Sequence, residues 1–295
     1  MGAFSVVNNI SAISSQNRLI ITEGNLKNTL TRLSSGLRIN SAGDDAAGLA
    51  IADGLRADVR ALNQAARNAN DGVSLLQTSD SAINEISLLL TRAVSLAEQA
   101  ASGTSGADNS DSNLALDDEF QSILTEIERI ACSVYFNGLN LLGGAAVGTS
   151  TGDQSVAIQV GLDDAANSRI TLQTVSVNVQ GTASGAFTKG TVGTDRVSLA
   201  LGFSGADLQT ASSALTTLAT LQTAVANTAR TRGVLGAGIN RLNTATTIIR
   251  SLATNLQSAE SQIRDANIAQ EIVNLTQFQI LTQTGISALA QANIQ

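Results

Sequence analysis

Leu55, Leu62, Ala69, Leu76, Ile83 and Leu90 stand seven positions apart, and no proline interrupts the stretch from Asp45 to Ala101 that carries them. A seven-residue apolar repeat of that length predicts one helix, because every seventh side chain returns to the same stripe. At 1.5 Å per residue it would be a rod of about 85 Å, a length typical of coiled coils and filaments. A companion row, Val59, Ala66 and Val73, holds until Asp80 and Ser87 interrupt it. The most regular repeat lies nearer the end: Leu235, Leu242, Ile249, Leu256 and Ile263, with Ala245, Leu252, Ala259 and Ala266 three residues on. A shorter one opens the chain: Leu19, Leu26 and Leu33, with Leu30 and Leu37 four residues after the last two. Burying one leucine contributes roughly 1.5–3 kcal/mol, so seams of this kind can hold a helix bundle without aromatic side chains.

The composition agrees with that reading. Aromatic residues make up 2% of the 295, and tryptophan, histidine and proline are absent. Leucine, isoleucine, valine and alanine therefore carry the burial, which suits thin layers of helices, and the missing proline permits long uninterrupted ones. The net charge of −7 disfavours nucleic acid and acidic membrane surfaces, since both recruit clustered Lys and Arg. Only 14% of residues are charged, and an exposed surface rich in Ser, Thr, Asn and Gln is suited to packing against copies of itself. Without histidine, general acid–base and zinc chemistry lose their usual residue, so no enzyme activity and no cofactor or metal are expected. Cys132 stands alone, which rules out an intramolecular disulfide, and it reads as a small buried or half-buried side chain. The opening residues lack a basic segment followed by an apolar run, so no secretory signal is expected. No window of 18 apolar residues spans a membrane. "MGAFSV" places Val6 where an acylation motif needs Ser or Thr.

The order of patterns is close to a palindrome. A helix from Ser11 to Leu37 ends at the joint "INSAGDDAAG", and the long rod follows. "SGTSGADNSDSN" is a loop, and "LALDDEFQSILTEIERIACSVY" is a third helix that "FNGLNLLGG" breaks. From about 145 to 204 the period changes to two, in "SVAIQVGL" and "RITLQTVSVNV", which predicts a small β region of hairpins. Helix returns at Ala206, "IRDANIAQEI" makes a second joint, and an amphipathic tail closes the chain. The expected fold is mainly α with a small β region: a long antiparallel helical coiled coil, N- and C-terminal helices paired, and β-hairpins at the tip. Residues 1–43 and 266–295 would form one discontinuous domain, and 44–265 a second that includes the β segment.

The chemistry-bearing clusters have structural explanations. Asp44 and Asp45 point about 100° apart on a helix and do not converge, and either can cap the rod. Gly36, Gly43, Gly48 and Gly54 match neither phosphate-binding nor dinucleotide-binding spacing, and fit joint flexibility and close helix packing. Asp163–Asp164 reads as a turn and Asp117–Asp118–Glu119 as an acidic helix start, since no calcium-loop spacing surrounds them.

The residues also carry a resemblance. "LTRLSSGLRINSAGDDAAGLAIADGLRADVRALNQAARNANDGVSLLQTSDSAINEI" and "SAESQIRDANIAQEIVNLTQFQILTQTGISALAQAN" strongly resemble the N- and C-terminal conserved regions of bacterial flagellins, and "FNGLNLLGG" resembles the lead into their β region. The match covers about residues 1–145 and 205–293. It implies a subunit that polymerises into the extracellular flagellar filament used for motility. The subunit would be exported unfolded without a cleaved signal peptide and added at the filament tip. The implied partners are other copies of the chain, an export chaperone, and the cap and hook-junction proteins. Terminal helices would form the inner layer and the middle helices with the β region the next, and the short insertion here implies no large outer variable domain. A hook–filament junction protein, which shares similar ends, is the alternative. A chemoreceptor-like coiled coil would need a membrane span. In "LLTRAVSLAEQ", aligned through "INEI" and "EIERI", the resemblance places on Arg92, Leu96 and Glu119 a surface read by an innate-immune Toll-like receptor. The same surface is buried between stacked subunits in the family. Val94 and Ser95 replace the charged pair usual in the receptor-active members, and the chain stops at Gln295 where the family continues with a short tail.

Overall fold

The computed structural model describes residues 9–102, 111–143, 156–172, 174–179, 196–203 and 205–294. These form, in order, α1 (Ile10–Ser35), α2 (Ala46–Ala101), α3 (Asp111–Ser133), β1 (Tyr135–Phe136), β2 (Leu139–Asn140), β3 (Val156–Gln159), β4 (Arg169–Leu172), β5 (Thr174–Asn178), β6 (Arg196–Ala200), α4 (Ala211–Arg264) and α5 (Ile268–Ile294). The rod helix is present over its expected length, and α3 starts three residues before the expected Leu114. Most of the loop before α3, and the expected β segments at 145–155 and 180–195, lie outside the described residues.

Helix ends follow local chemistry. Asn9 caps α1, its side chain accepting from the Ala12 amide at 3.0 Å. Gly36 ends α1 in the left-handed conformation, φ 72°, and its amide returns to the Arg32 carbonyl at 2.8 Å. The two adjacent aspartates divide the work at the start of α2. Asp45 Oδ1 accepts from the Gly48 amide at 2.9 Å and is the helix cap. Asp44 Oδ2 accepts from the Asn40 and Ser41 amides at 3.1 and 2.9 Å and fastens the turn before it. Gly48 leaves room for the cap, since a Cβ there would press on the Asp45 carboxylate and stand 2.8 Å from Ile39 Cδ1.

The chain divides into two compact units, Met1–Arg60 with Leu252–Gln295 and Ala61–Ser251, so the boundaries fall inside α2 and α4. The terminal segments 1–43 and 266–295 lie wholly within the first unit. There α1 and α5 run antiparallel: Asn9 Nδ2 donates to the Ala292 carbonyl at 2.7 Å, and near the other end Arg32 Nη1 lies 3.7 Å from Glu271 Oε1. The two joints are hydrogen-bonded to each other, Arg38 amide to Arg264 carbonyl at 2.7 Å and Ala266 amide to Gly36 carbonyl at 2.9 Å. Arg56 reaches Glu260 at 3.0 Å and Arg264 reaches Asp53 at 3.4 Å, tying the first turns of α2 to the last turns of α4 in the same unit.

The second unit holds a dense apolar core. Ile83, Ile86, Leu90, Ile127, Leu142, Leu221 and Leu242 are fully enclosed, and Phe120 meets Phe203 edge-on with ring centroids 6.3 Å apart. Antiparallel pairing of α2 with α4 places Arg232 on Asp80 and Asn84, at 2.9 and 2.8 Å. The polar interruption of the companion row at Asp80 is thus half of an inter-helix ion pair. Its carboxylate holds the Arg232 pKa above the ordinary value by a hydrogen bond and by direct attraction.

Three expectations about the elements are corrected. "FNGLNLLGG" is more than a break: Asn137 and Gly138, both at positive φ, turn the β1–β2 hairpin. The later β region is not all hairpins, since β3 pairs antiparallel with β4 but β5 pairs parallel with β6. The β3–β4 hairpin lies along the helices of its unit, not past their ends. Asn68 Nδ2 donates to the Gln159 carbonyl at 3.4 Å, and Ile158 packs where Gly72 and Leu242 meet.

Candidate assembly and recognition surfaces

The expected seams are covered unequally. Leu62, Leu76, Ile83 and Leu90 on α2 and Leu235, Leu242 and Ile249 on α4 are buried. Leu55, Leu256 and Ile263, and all three of Leu19, Leu26 and Leu33, are half-buried. Two companion positions are not where the repeat put them. Leu30 is 47% exposed, because the α1–α5 seam takes in Leu26, Thr29 and Leu33 instead. Leu252 is 41% exposed, and its neighbour Ala253 is buried. On α4 the cause is helical drift: a straight helix falls about 20° per heptad behind a strict 3.5 repeat, which moves the companion row from the third to the fourth residue.

What the first unit leaves uncovered matters more. Ile10, Ile13, Ile20 and Ile21 on α1 are exposed, as are Ile268, Ile272, Val273, Ile280, Leu281 and Ile286 on α5. The only charged residue of α5 is Glu271, and it is itself buried. A 27-residue helix whose outer surface carries no charge and six large aliphatic side chains is a surface prepared for cover by protein.

The second surface lies on α2 and α3. Arg92 Nε and Nη2 both donate to Glu119 Oε1, at 2.9 and 2.6 Å, and both side chains are about half exposed. Exposed pairs of this kind contribute at most about 1 kcal/mol, so fold stability gives little reason for it. Leu96 does not share that surface. It is 2% exposed and belongs to the core under the pair. The correction has a simple cause: α2 buries a second row, Leu75, Ala82, Ile86, Ala93, Leu96 and Ala100, against other elements of its unit. A residue on a helix that packs on two faces has fewer outward positions than a single seam suggests.

Several structural residues were invisible to spacing. Asp117, read as part of an acidic helix start, is buried and accepts from the Leu208 amide at 3.0 Å and Gln209 Nε2 at 3.1 Å. It anchors the segment before α4. Asp164 pairs with Arg169 beside the β3–β4 turn. Asn140 accepts from the Leu142 and Gly143 amides at 3.0 and 2.5 Å and seats Leu141 and Leu142 in the core. Among the described residues no three His, Cys, Asp or Glu side chains converge as metal ligands, and no helix is long and apolar enough to cross a membrane.

Paired terminal helices with bare aliphatic faces, joined to long antiparallel helices and a small β region, define a subunit of a polymer. Comparison with known proteins gives the family. The model of the bacterial flagellin N-terminal helical region matches residues 6–146, and that of the bacterial flagellin C-terminal helical region matches residues 218–295. A flagellar filament 30.7 kDa core protein of Treponema maltophilum is 34% identical over 97% of this chain and 95% of its own. A flagellin of Bacillus subtilis is 36% identical over the same shares. A crystal structure of Bacillus cereus flagellin aligns with 66% of this chain and 94% of its own, at 29% identity and a TM-score of 0.47. The chain belongs to the bacterial flagellins and is a structural subunit of the flagellar filament. The hook-junction alternative is not favoured by these relatives.

Proposed function

We propose that the exposed aliphatic faces of α1 and α5 are the surfaces through which copies of this chain hold one another in the filament, and that the chain has no enzymatic role. The observation that supports this is the uncharged α5 surface carrying Ile268, Ile272, Ile280 and Ile286 in the open. In this reading residues 1–43 and 266–295 are the inner layer and 44–265 the next, with the filament outside the cell. Contacts that propagate a helical polymer must be head-to-tail, with different patches on the two sides, and the distinct faces of α1 and α5 provide them. The export chaperone and the cap and hook-junction proteins would read the same terminal helices before and during assembly. Deleting residues 1–40 should leave soluble monomers under the electron microscope, and filaments from that variant would refute the assignment.

A second reading concerns the Arg92–Glu119 pair. It forms a recognition surface for an animal Toll-like receptor on the free subunit, with Leu96 acting as support beneath. The exposed, energetically dispensable ion pair favours it. In a receptor reporter assay the monomer should give a response that Arg92→Ala weakens while its thermal melting is unchanged. Silence from the unmodified monomer would sink the idea.

A further inference from the structure

We propose that Asn137 is a self-modification site, at which the chain deamidates spontaneously and thereby loosens the core of its second unit as it ages. It precedes Gly138 in the only Asn-Gly step of the sequence. Both residues are exposed and lie outside the β1–β2 ladder, whose register pairs Phe136 with Leu139. Nothing lies within 4 Å of where a Gly138 Cβ would be, so the turn is not packed against other segments on that side. Other asparagines lack this combination. Asn113 and Asn227 are buried in helices, Asn9 is committed to capping α1, and Asn140 is committed to the Leu142 and Gly143 amides.

The chemistry needs only water. Hydroxide takes the proton from the Gly138 amide, and the nitrogen attacks Asn137 Cγ. The new C–N bond closes a five-membered imide, and the side-chain nitrogen takes a proton from water and leaves as ammonia, which restores the hydroxide. Water then opens the ring at either carbonyl. One opening yields aspartate, the other yields isoaspartate, in which the main chain runs through the former side-chain carbon.

The two products differ in consequence. Asn137 sits at φ 48° and Gly138 at φ 80°, the pair of positive values a two-residue hairpin turn requires. Aspartate tolerates that position, but isoaspartate lengthens the backbone by one carbon and breaks the match of Phe136 to Leu139. The next residues are Leu141 and Leu142, fully enclosed in the core, with the Leu141 amide donating to the Val134 carbonyl at 3.0 Å. Losing the turn therefore loosens two anchors of the second unit.

The full chain, held as monomer at mildly alkaline pH and mapped by peptide mass spectrometry over time, tests this. The peptide containing Asn137 should convert faster than every other asparagine by an order of magnitude or more. The rate should rise with hydroxide concentration, and isoaspartate should exceed aspartate. Aged protein should melt earlier than fresh protein. Asn137→Gly, which suits the turn but cannot form the imide, should show no such ageing. Asn137→Asp should melt like fresh protein. An Asn137 that stays intact while other asparagines convert overturns the proposal, as does an Asn137→Gly chain that ages at the original rate.

Discussion

The two units are built from the same kinds of helices and treat their apolar residues in opposite ways. The Ala61–Ser251 unit builds an enclosed core, with Phe120, Ile83, Ile86, Leu90, Ile127 and Leu142 at 0% exposure, and leaves only scattered large side chains such as Leu88, Leu215 and Ile248 in the open. The unit of the termini encloses almost none. Its seam leucines are half-buried, Ile39 in the joint is enclosed, and Ile10, Ile13, Ile20, Ile21, Ile268, Ile272, Ile280 and Ile286 face outward. The difference is one of neighbours. In the second unit α3, α4 and the strands cover more than one face of α2, whereas α1 and α5 chiefly have each other. A helix pair can close only a narrow stripe, so the remaining aliphatic surface stays open. Under the proposed assembly role, the second unit relies on its own contacts and the first is completed by neighbouring copies.

Core truncation should break that contrast most visibly. Phe120→Ala removes a fully enclosed ring in contact with Phe203, and it should destabilise the monomer by about 3–5 kcal/mol in denaturant unfolding followed by circular dichroism. Leu26→Ala in the half-buried α1 seam should cost roughly 1 kcal/mol in the same measurement, less than full burial of a leucine is worth. Its larger effect should be a raised critical concentration for polymerisation, measured by sedimentation. Equal losses from the two substitutions would remove the distinction between the units.

The joint separates smaller effects. Asp45→Ala removes the cap of α2 and should cost about 1 kcal/mol, while Asp45→Asn should be nearly neutral because asparagine caps equally well. Asp44 gives the finest test. Hydrogen bonds from the Ser41 and Asn40 amides, then from the Ser41 hydroxyl, hold its pKa below the ordinary aspartate value. A depressed carboxylate contributes stability that is present above its unfolded pKa and is lost as the pH falls through the folded one. The turn at Asn40–Ser41 should therefore stay closed from neutral pH down through the ordinary aspartate range, and open only below it. Amide chemical shifts of Asn40 and Ser41 followed through an acid titration would show this, and a midpoint at or above the ordinary aspartate value would contradict it.

Much of this was legible before any coordinates. The heptad row predicted α2 over nearly its observed length, the returning helical pattern predicted α4 from Ala206 where it starts at Ala211, and the near-palindromic order predicted the pairing of the chain's ends. The long runs of text similar to flagellins gave the family. What escaped the reading did so for identifiable reasons. The strand pair β5–β6 joins segments far apart in sequence, and alternation marks a strand without naming its partner. Asp117 looked like one of three acidic residues at a helix start, because nothing local reveals that Leu208 and Gln209 arrive beside it. Leu96 belongs to the surface that the flagellin resemblance implies, but α2 packs on two faces, and the row through Ile86, Ala93 and Leu96 is buried.

The sequence by itself determined most of which residues share a face, the helix ends to within about five residues, and that aliphatic seams must do the work of a core. These are properties of periodicity and of local capping, written along the chain. Only the tertiary structure decided which of two aspartates caps α2, that Leu30 and Leu252 turn outward, and that Leu96 lies beneath the Arg92–Glu119 pair. Those outcomes depend on how many elements cover each face, and that number is set by contacts between segments distant in sequence, whose spacing carries no local mark.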